Sequence, residues 1–208
     1  MNKKASRCHY RVEVAYAKRD NLLFGERIYW DDAQLWLFED LADVVCMAAR
    51  ECYETHYLRF VLYDGLRTID AQKAMMQTRR ARENPHWMEP PRLLSTPGGG
   101  GHPRGMAIDI GLKDENGNLL DMGCPFDFLS ENADPAHNPA HREYKHPAAV
   151  KRNRAILDEA MMGAAKALGI PLTPLAEEWW DFRLPQSFYG RYAPLSENDL
   201  PEKMRIMR

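Results

Sequence analysis

The stretch Gly101-His102-Pro103-Arg104-Gly105-Met106-Ala107-Ile108-Asp109 places an imidazole and a carboxylate close together, and Glu178-Trp179-Trp180-Asp181 adds two more carboxylates about seventy residues on. Imidazole nitrogen and carboxylate oxygen are both ligands for zinc and neighbouring divalent metals. Three protein ligands leave a position open for water and make a hydrolytic site, whereas four make a structural one. On that reading His102 and Asp109 grip a metal, and of Glu178 and Asp181 one carboxylate is a third ligand and the other a base.

Spacing alone leaves alternatives open. His102 and Asp109 are seven residues apart, so a regular strand would send them to opposite faces. They meet only if the chain bends, and Pro103 and Gly105 are residue types that permit a bend. Glu178 and Asp181 are three apart; they share a face on a helix but not on a strand. Trp180, Phe182 and Leu184 suggest a strand, so a bulge or a strand entry has to re-aim one carboxylate. Otherwise these residues are a solvated loop histidine, a hydrogen-bonded strand aspartate and two surface acids beside a core tryptophan pair. Arg67 closes Tyr63-Asp64-Gly65-Leu66-Arg67. Its guanidinium suits an oxyanion developing on a scissile carbonyl, and equally suits a plain salt bridge. His137 and His141 have helical ligand spacing, but Pro135, Pro139 and Pro147 argue against a helix there. That loop, His146 included, reads as a cover over a pocket rather than as a source of ligands.

The elements that must position these groups follow from periodicity. Tyr10 to Tyr16 alternates as a strand. Asp31-Asp32 offers an N-cap for an amphipathic helix running to about Tyr53, with Leu35, Phe38, Leu41, Val45, Ala48, Ala49 and Cys52 at helical spacing. Leu58 to Tyr63 reads as a buried strand, and a helix is expected from Ile69 to Arg82. Residues 84–101, with Pro85, Pro90, Pro91, Pro97 and a run of glycines, form a long irregular loop of the kind that carries function. A strand from Met106 to Leu112 precedes a turn at Asn116-Gly117. A polar loop spans Ser130 to Pro147, a helix Ala148 to Leu168 stopped by Gly169, and a last strand Glu178 to Leu184. The pattern predicts one α+β domain over residues 1–208, with a small, mainly antiparallel sheet flanked by helices.

With 208 residues, 45% hydrophobic and 28% charged, the chain has the composition of an ordinary globular domain. A net charge of −2 gives no reason to expect a nucleic-acid partner. No apolar run follows the basic start, so no export signal or membrane span is read. Cys8, Cys46, Cys52 and Cys124 contain no Cys-x-x-Cys pair, which fits a reduced, cytoplasmic protein.

Five segments in order resemble the D-alanyl-D-alanine dipeptidases of the VanX type, over about Val12 to Tyr189. They are Val14 to Gly25 with Tyr16; the Tyr63 to Arg67 turn; His102 to Asp109, as His-x-x-Gly-x-Ala-x-Asp; Met122-Gly123-Cys124-Pro125-Phe126-Asp127; and Glu178-Trp179-Trp180. The resemblance implies an α+β fold shared with some peptidoglycan carboxypeptidases and hedgehog-like domains. It implies zinc as cofactor and the dipeptide D-Ala-D-Ala as substrate. Carried over by position, His102 and Asp109 are metal ligands, Glu178 the general base and Arg67 the carbonyl polariser, with Asp127 at the substrate's amine and Tyr16 a further substrate-binding residue. Two positions depart. The family's closing histidine is Asp181, and the serine two residues before the first ligand is Gly100, at a substrate-binding position. A His-Asp-Asp set is harder than His-Asp-His and tolerates Fe2+ or Mn2+ beside Zn2+. The expected partners are a small dipeptide and, at most, further copies of the chain as a homo-oligomer. The alternative is an impaired member that binds a D-amino-acid peptide or a protein partner through the same pocket.

Overall fold

The computed structural model describes residues 1–89, 93–132 and 134–207. Five strands form one sheet in the order β1-β2-β3-β5-β4. They are β1 (Tyr10–Val12), β2 (Arg59–Asp64), β3 (Ala107–Lys113), β4 (Thr173–Pro174) and β5 (Asp181–Arg183). Only the β1–β2 pairing is parallel. The helices are α1 (Glu39–His56), α2 (Ile69–Met76), α3 (Arg79–Glu83), α4 (Ala148–Leu168) and α5 (Gln186–Tyr189).

Strand alternation divides the sheet into an apolar and a polar face. Phe60, Leu62, Ile108, Ile110, Leu112 and Phe182 join one core with Leu41, Val44, Val45 and Ala48 of α1 and Leu157, Met161 and Ala164 of α4. The opposite parity puts Asp109, Asp181 and Arg183 on the other face. An irregularity between Leu62 and Asp64 brings Asp64 opposite Asp109, so Asp64 joins that face as well.

Several boundaries differ from the periodicity. The helix expected after Asp31-Asp32 begins only at Glu39. Residues 35–38 are instead held out of the helix: Leu35 bonds Asn2 and the N-terminal amine, Trp36 O accepts from Leu66 N, and Phe38 N donates to Gly105 O. The helix expected from Ile69 to Arg82 breaks, because Thr78 bonds Met75 O and caps a new helix at Ala81 N. The first strand ends at Val12, and Ala15–Ala17 turns as a 3-10 segment that buries Tyr16. The last strand is confined to Asp181–Arg183. Helix α4 ends, as its sequence predicts, on left-handed Gly169. Pro90 and Pro91 of the first long loop lie outside the described residues.

Candidate active site

Three neighbouring strands each bring an aspartate to one row. Register sets Asp64 of β2 opposite Asp109 of β3, and Asp109 opposite Asp181 of β5. All three are at most 2% exposed. Like charges directly opposed destabilise a sheet, and buried charges persist only when paired. Two guanidiniums are built in. Arg67 donates from Nε to Asp64 Oδ2 at 2.8 Å, and its Nη2 lies 2.8 Å from the same oxygen and 3.5 Å from Asp109 Oδ2. Arg183, on the same strand face as Asp181, donates from Nε to Oδ1 at 2.7 Å and from Nη2 to Oδ2. The Tyr29 hydroxyl donates to Asp64 Oδ1 at 3.0 Å. Asp109 Oδ1 is buried with no hydrogen-bond partner.

His102 reaches this row from the 3-10 turn His102–Arg104, which ends on left-handed Gly105. A Cβ at Gly105 would stand 3.1 Å from the Phe38 nitrogen, so the turn needs glycine for both its φ and its close packing. The bend required between His102 and Asp109 is this turn. Nδ1 of His102 is 2.8 Å from Gly65 O. A carbonyl only accepts, so Nδ1 carries a hydrogen. Nε2 then points at Asp181 Oδ2 (3.3 Å) and Asp109 Oδ1 (3.5 Å). Burial and the Arg67 charge disfavour an imidazolium, but Asp109 and Asp181 outweigh them and raise His102 to about 10. Nε2 of His102 and the two carboxylates thus converge on one point. One imidazole nitrogen, two carboxylates and an orphaned buried oxygen fit a divalent ion there. Ligand atoms of Asp64, His102 and Asp109, and likewise of Asp109, Glu178 and Asp181, lie within 4.8 Å of one another.

Glu178 sits in the turn that enters β5, with Asp181 as the first strand residue. A strand entry, rather than a bulge, re-aims the pair. Burial, reinforced by Asp181 and Asp109, raises Glu178 to about 7, where a carboxylate can take and return a proton near neutrality. Burial opposes ionisation of Asp181, but Arg183 and His102 hold it well below the ordinary range.

Asp127 has φ +63°. Its neighbour Phe126 stacks on Tyr63 at 4.4 Å and meets Trp180 edge-on at 5.6 Å. The Tyr16 hydroxyl donates to Asp127 Oδ1 at 3.0 Å, whereas Oδ2 is buried without a partner. Burial and the Asp109 charge push Asp127 well above the usual carboxylate range. Asp127, Tyr16, Arg67, His102, Asp109, Glu178, Asp181 and Arg183 line one cavity of about 390 Å³, walled also by Trp180, Leu93, Leu94 and Leu129. That volume lies toward the small end of ligand pockets.

Residues 7–196 match the peptidase M15 family, described as D-Ala-D-Ala dipeptidases. The chain belongs to that family. It is 31% identical over 176 residues to the D-alanyl-D-alanine dipeptidase of Escherichia coli (strain K12), covering 85% of this chain and 79% of that one. Among solved structures it is similar to the Serratia marcescens L-Ala D-Glu endopeptidase ChiX, at 16% identity and a TM-score of 0.42 over 74% of this chain and 84% of that one. That likeness is too distant to decide anything about the site. Family membership makes the protein a peptidase, and its buried Asp-His-Asp cluster suits the metal dependence of such enzymes.

In this dipeptidase-family chain, every residue read from the sequence as a ligand, base or carbonyl polariser meets at one cavity. Gly100 does not line it. It takes φ +79°, and a Cβ there would lie 4.0 Å from both Ser95 Oγ and Arg183 Nη1. Ser95 does line the cavity, so a hydroxyl approaches the same place from another segment. His137 pairs with Asp134 on the surface, and Nε2 of His146 bonds Pro139 O. His141 Nδ1 accepts from Glu143 N. Among the described residues none of the three joins a potential metal cluster. Sequence reasoning missed Asp64, Arg183 and Ser95. Asp64 and Arg183 were signalled by their spacing, three before Arg67 and two after Asp181. Ser95 had no sequence signal.

Proposed function

We propose that the protein hydrolyses D-Ala-D-Ala, or a close small dipeptide with a free amine, with a divalent metal held by His102, Asp109 and Asp181. Zinc is the first choice, with Fe2+ and Mn2+ as alternatives favoured by two carboxylates in the set. The observation that carries this reading is the convergence of Nε2 of His102 with Asp109 and Asp181 in the cavity that Glu178 also lines. Bound there, the metal would supply Lewis acidity toward water and the scissile carbonyl.

The remaining chemistry belongs to the chain. Glu178 removes a proton from the attacking water and returns it to the amide nitrogen as the carbon–nitrogen bond breaks. Arg67, fixed by Asp64, presents a guanidinium toward the cavity and stabilises charge on the carbonyl oxygen. Asp127 Oδ2 receives the substrate ammonium, which satisfies a buried oxygen that otherwise lacks a partner. The small cavity and the unpartnered Oδ2 of Asp127 together favour short peptides with unblocked N-termini. Four cysteines without a disulfide suit the reducing cytoplasm as the working compartment.

The test is metal analysis of protein purified without chelator, paired with hydrolysis assays under zinc, manganese and ferrous iron. D-Ala-D-Ala, N-acetyl-D-Ala-D-Ala and a longer muropeptide stem serve as substrates. One metal per chain and cleavage of the free dipeptide alone is the expected result. No metal and no turnover with any ion would sink the reading; efficient cleavage of the stem would sink the dipeptide restriction.

A further inference from the structure

Resting on that reading, we infer that Arg183 is a positioning residue for the metal: Asp181 and Arg183 act as one electrically neutral unit in place of a neutral third ligand. Both Asp181 oxygens are engaged by the guanidinium, Oδ1 by Nε at 2.7 Å and Oδ2 by Nη2. Oδ2 is also the oxygen 3.3 Å from His102 Nε2. A carboxylate oxygen has two lone pairs, so Oδ2 can serve a cation while Arg183 holds its other side. The fork fixes the rotamer and withdraws charge, in the manner of the outer partners that orient metal-binding side chains.

The arrangement of charge supports this assignment. Asp109, Asp127, Glu178 and Asp181 line one cavity with Asp64 opposite Asp109 beside it, and the guanidiniums facing them are Arg67 and Arg183. Arg67 is committed to Asp64 and Asp109, which leaves Arg183 as the counter-charge of Asp181. The structure also shows how the guanidinium is accommodated. β5 puts Asp181 and Arg183 on one face, and a side chain at Gly100 would grow from a point 4.0 Å from Arg183 Nη1. Gly100, at a left-handed φ of +79°, lies within ordinary contact range of the guanidinium.

A double-mutant cycle on metal affinity tests it, using zinc competition against a chromophoric chelator with full-length Asp181→His, Arg183→Met and the double variant. Asp181→His alone places a neutral ligand beside an unpaired guanidinium and should weaken zinc binding at least tenfold. In the Arg183→Met background the same change should leave affinity level or improve it. Equal effects of Asp181→His in both backgrounds, within threefold, would overturn the inference. If Asp181→His does not fold, Arg183→Met alone decides. The extra negative charge should move the zinc-to-manganese affinity ratio at least fivefold toward manganese, and an unchanged ratio would overturn the pairing. Wild-type protein that binds neither ion would defeat the metal reading itself, which keeps the two failures apart.

Discussion

Charges that neutralise one another set the behaviour of single residues here. Glu178 has an ordinary value near 4.5 and rises to about 7 in the folded, metal-free protein. Between those values the folded state binds the extra proton, so stability from this group is full below about 4.5 and is lost as pH rises through 7. Glu178→Gln should therefore match wild type in metal-free stability near pH 4.5. Above pH 7 it should be more stable by on the order of 1–3 kcal/mol, measured by urea unfolding across pH. A constant difference would mean that Glu178 is not held protonated by its burial and its acidic neighbours. Ser95 makes a second prediction. If its hydroxyl serves the space beside Gly100, Ser95→Ala should raise KM several-fold and leave kcat within about twofold, the mark of lost uniform binding. An equal fall in kcat and kcat/KM would place Ser95 in the transition state instead.

Among the elements, α4 supports the site from behind. Arg154 on this helix donates to Met122 O, Pro139 O and His141 O, and Asp158, one turn on, pairs with Arg142. Arg142 in turn holds Leu175 O, Trp179 O and Asp181 O. The two arginines tie the Pro139 to Arg142 part of the Ser130 to Pro147 loop to the segments that carry Asp127 and Asp181. Arg154→Met would leave buried carbonyls unpaired, and should destabilise by about 2–4 kcal/mol in denaturant unfolding. It should also weaken dipeptide binding, because Asp127 follows Met122 on the same segment. The His102 turn is the other sensitive element. Gly105→Ala meets both a left-handed φ of +64° and a 3.1 Å contact with the Phe38 nitrogen, so it should cost about 1–3 kcal/mol and lower metal affinity. Unchanged melting would show that the turn yields easily.

In the molecule as a whole, a sheet with an apolar face under two helices and a carboxylate row on the other needs a cation to be at its most stable. Metal should raise stability by about 2.7 kcal/mol at a hundred times its Kd, some 5–10 °C in Tm at this length; chelation should remove that gain, and calorimetry with and without chelator measures it. No helix among the described residues is long and apolar enough to cross a membrane. The sequence by itself determined the motifs, the strands β2 and β3 to within a residue at each end, helix α4 with its glycine stop, and the residue types of the cluster. These are local properties, written in spacing and composition. It did not determine that Trp36 and Phe38 stay outside the helix, since backbone bonds to Leu66 and Gly105 override the helical pattern there. Nor did it determine that Asp64, Asp109 and Asp181 stand in one row, because register joins positions up to 117 residues apart. The pairing of Asp181 with Arg183 lies between the two. Strand parity allows it from sequence, but only the packed structure, which turns both Asp181 oxygens onto the guanidinium, decides that it forms.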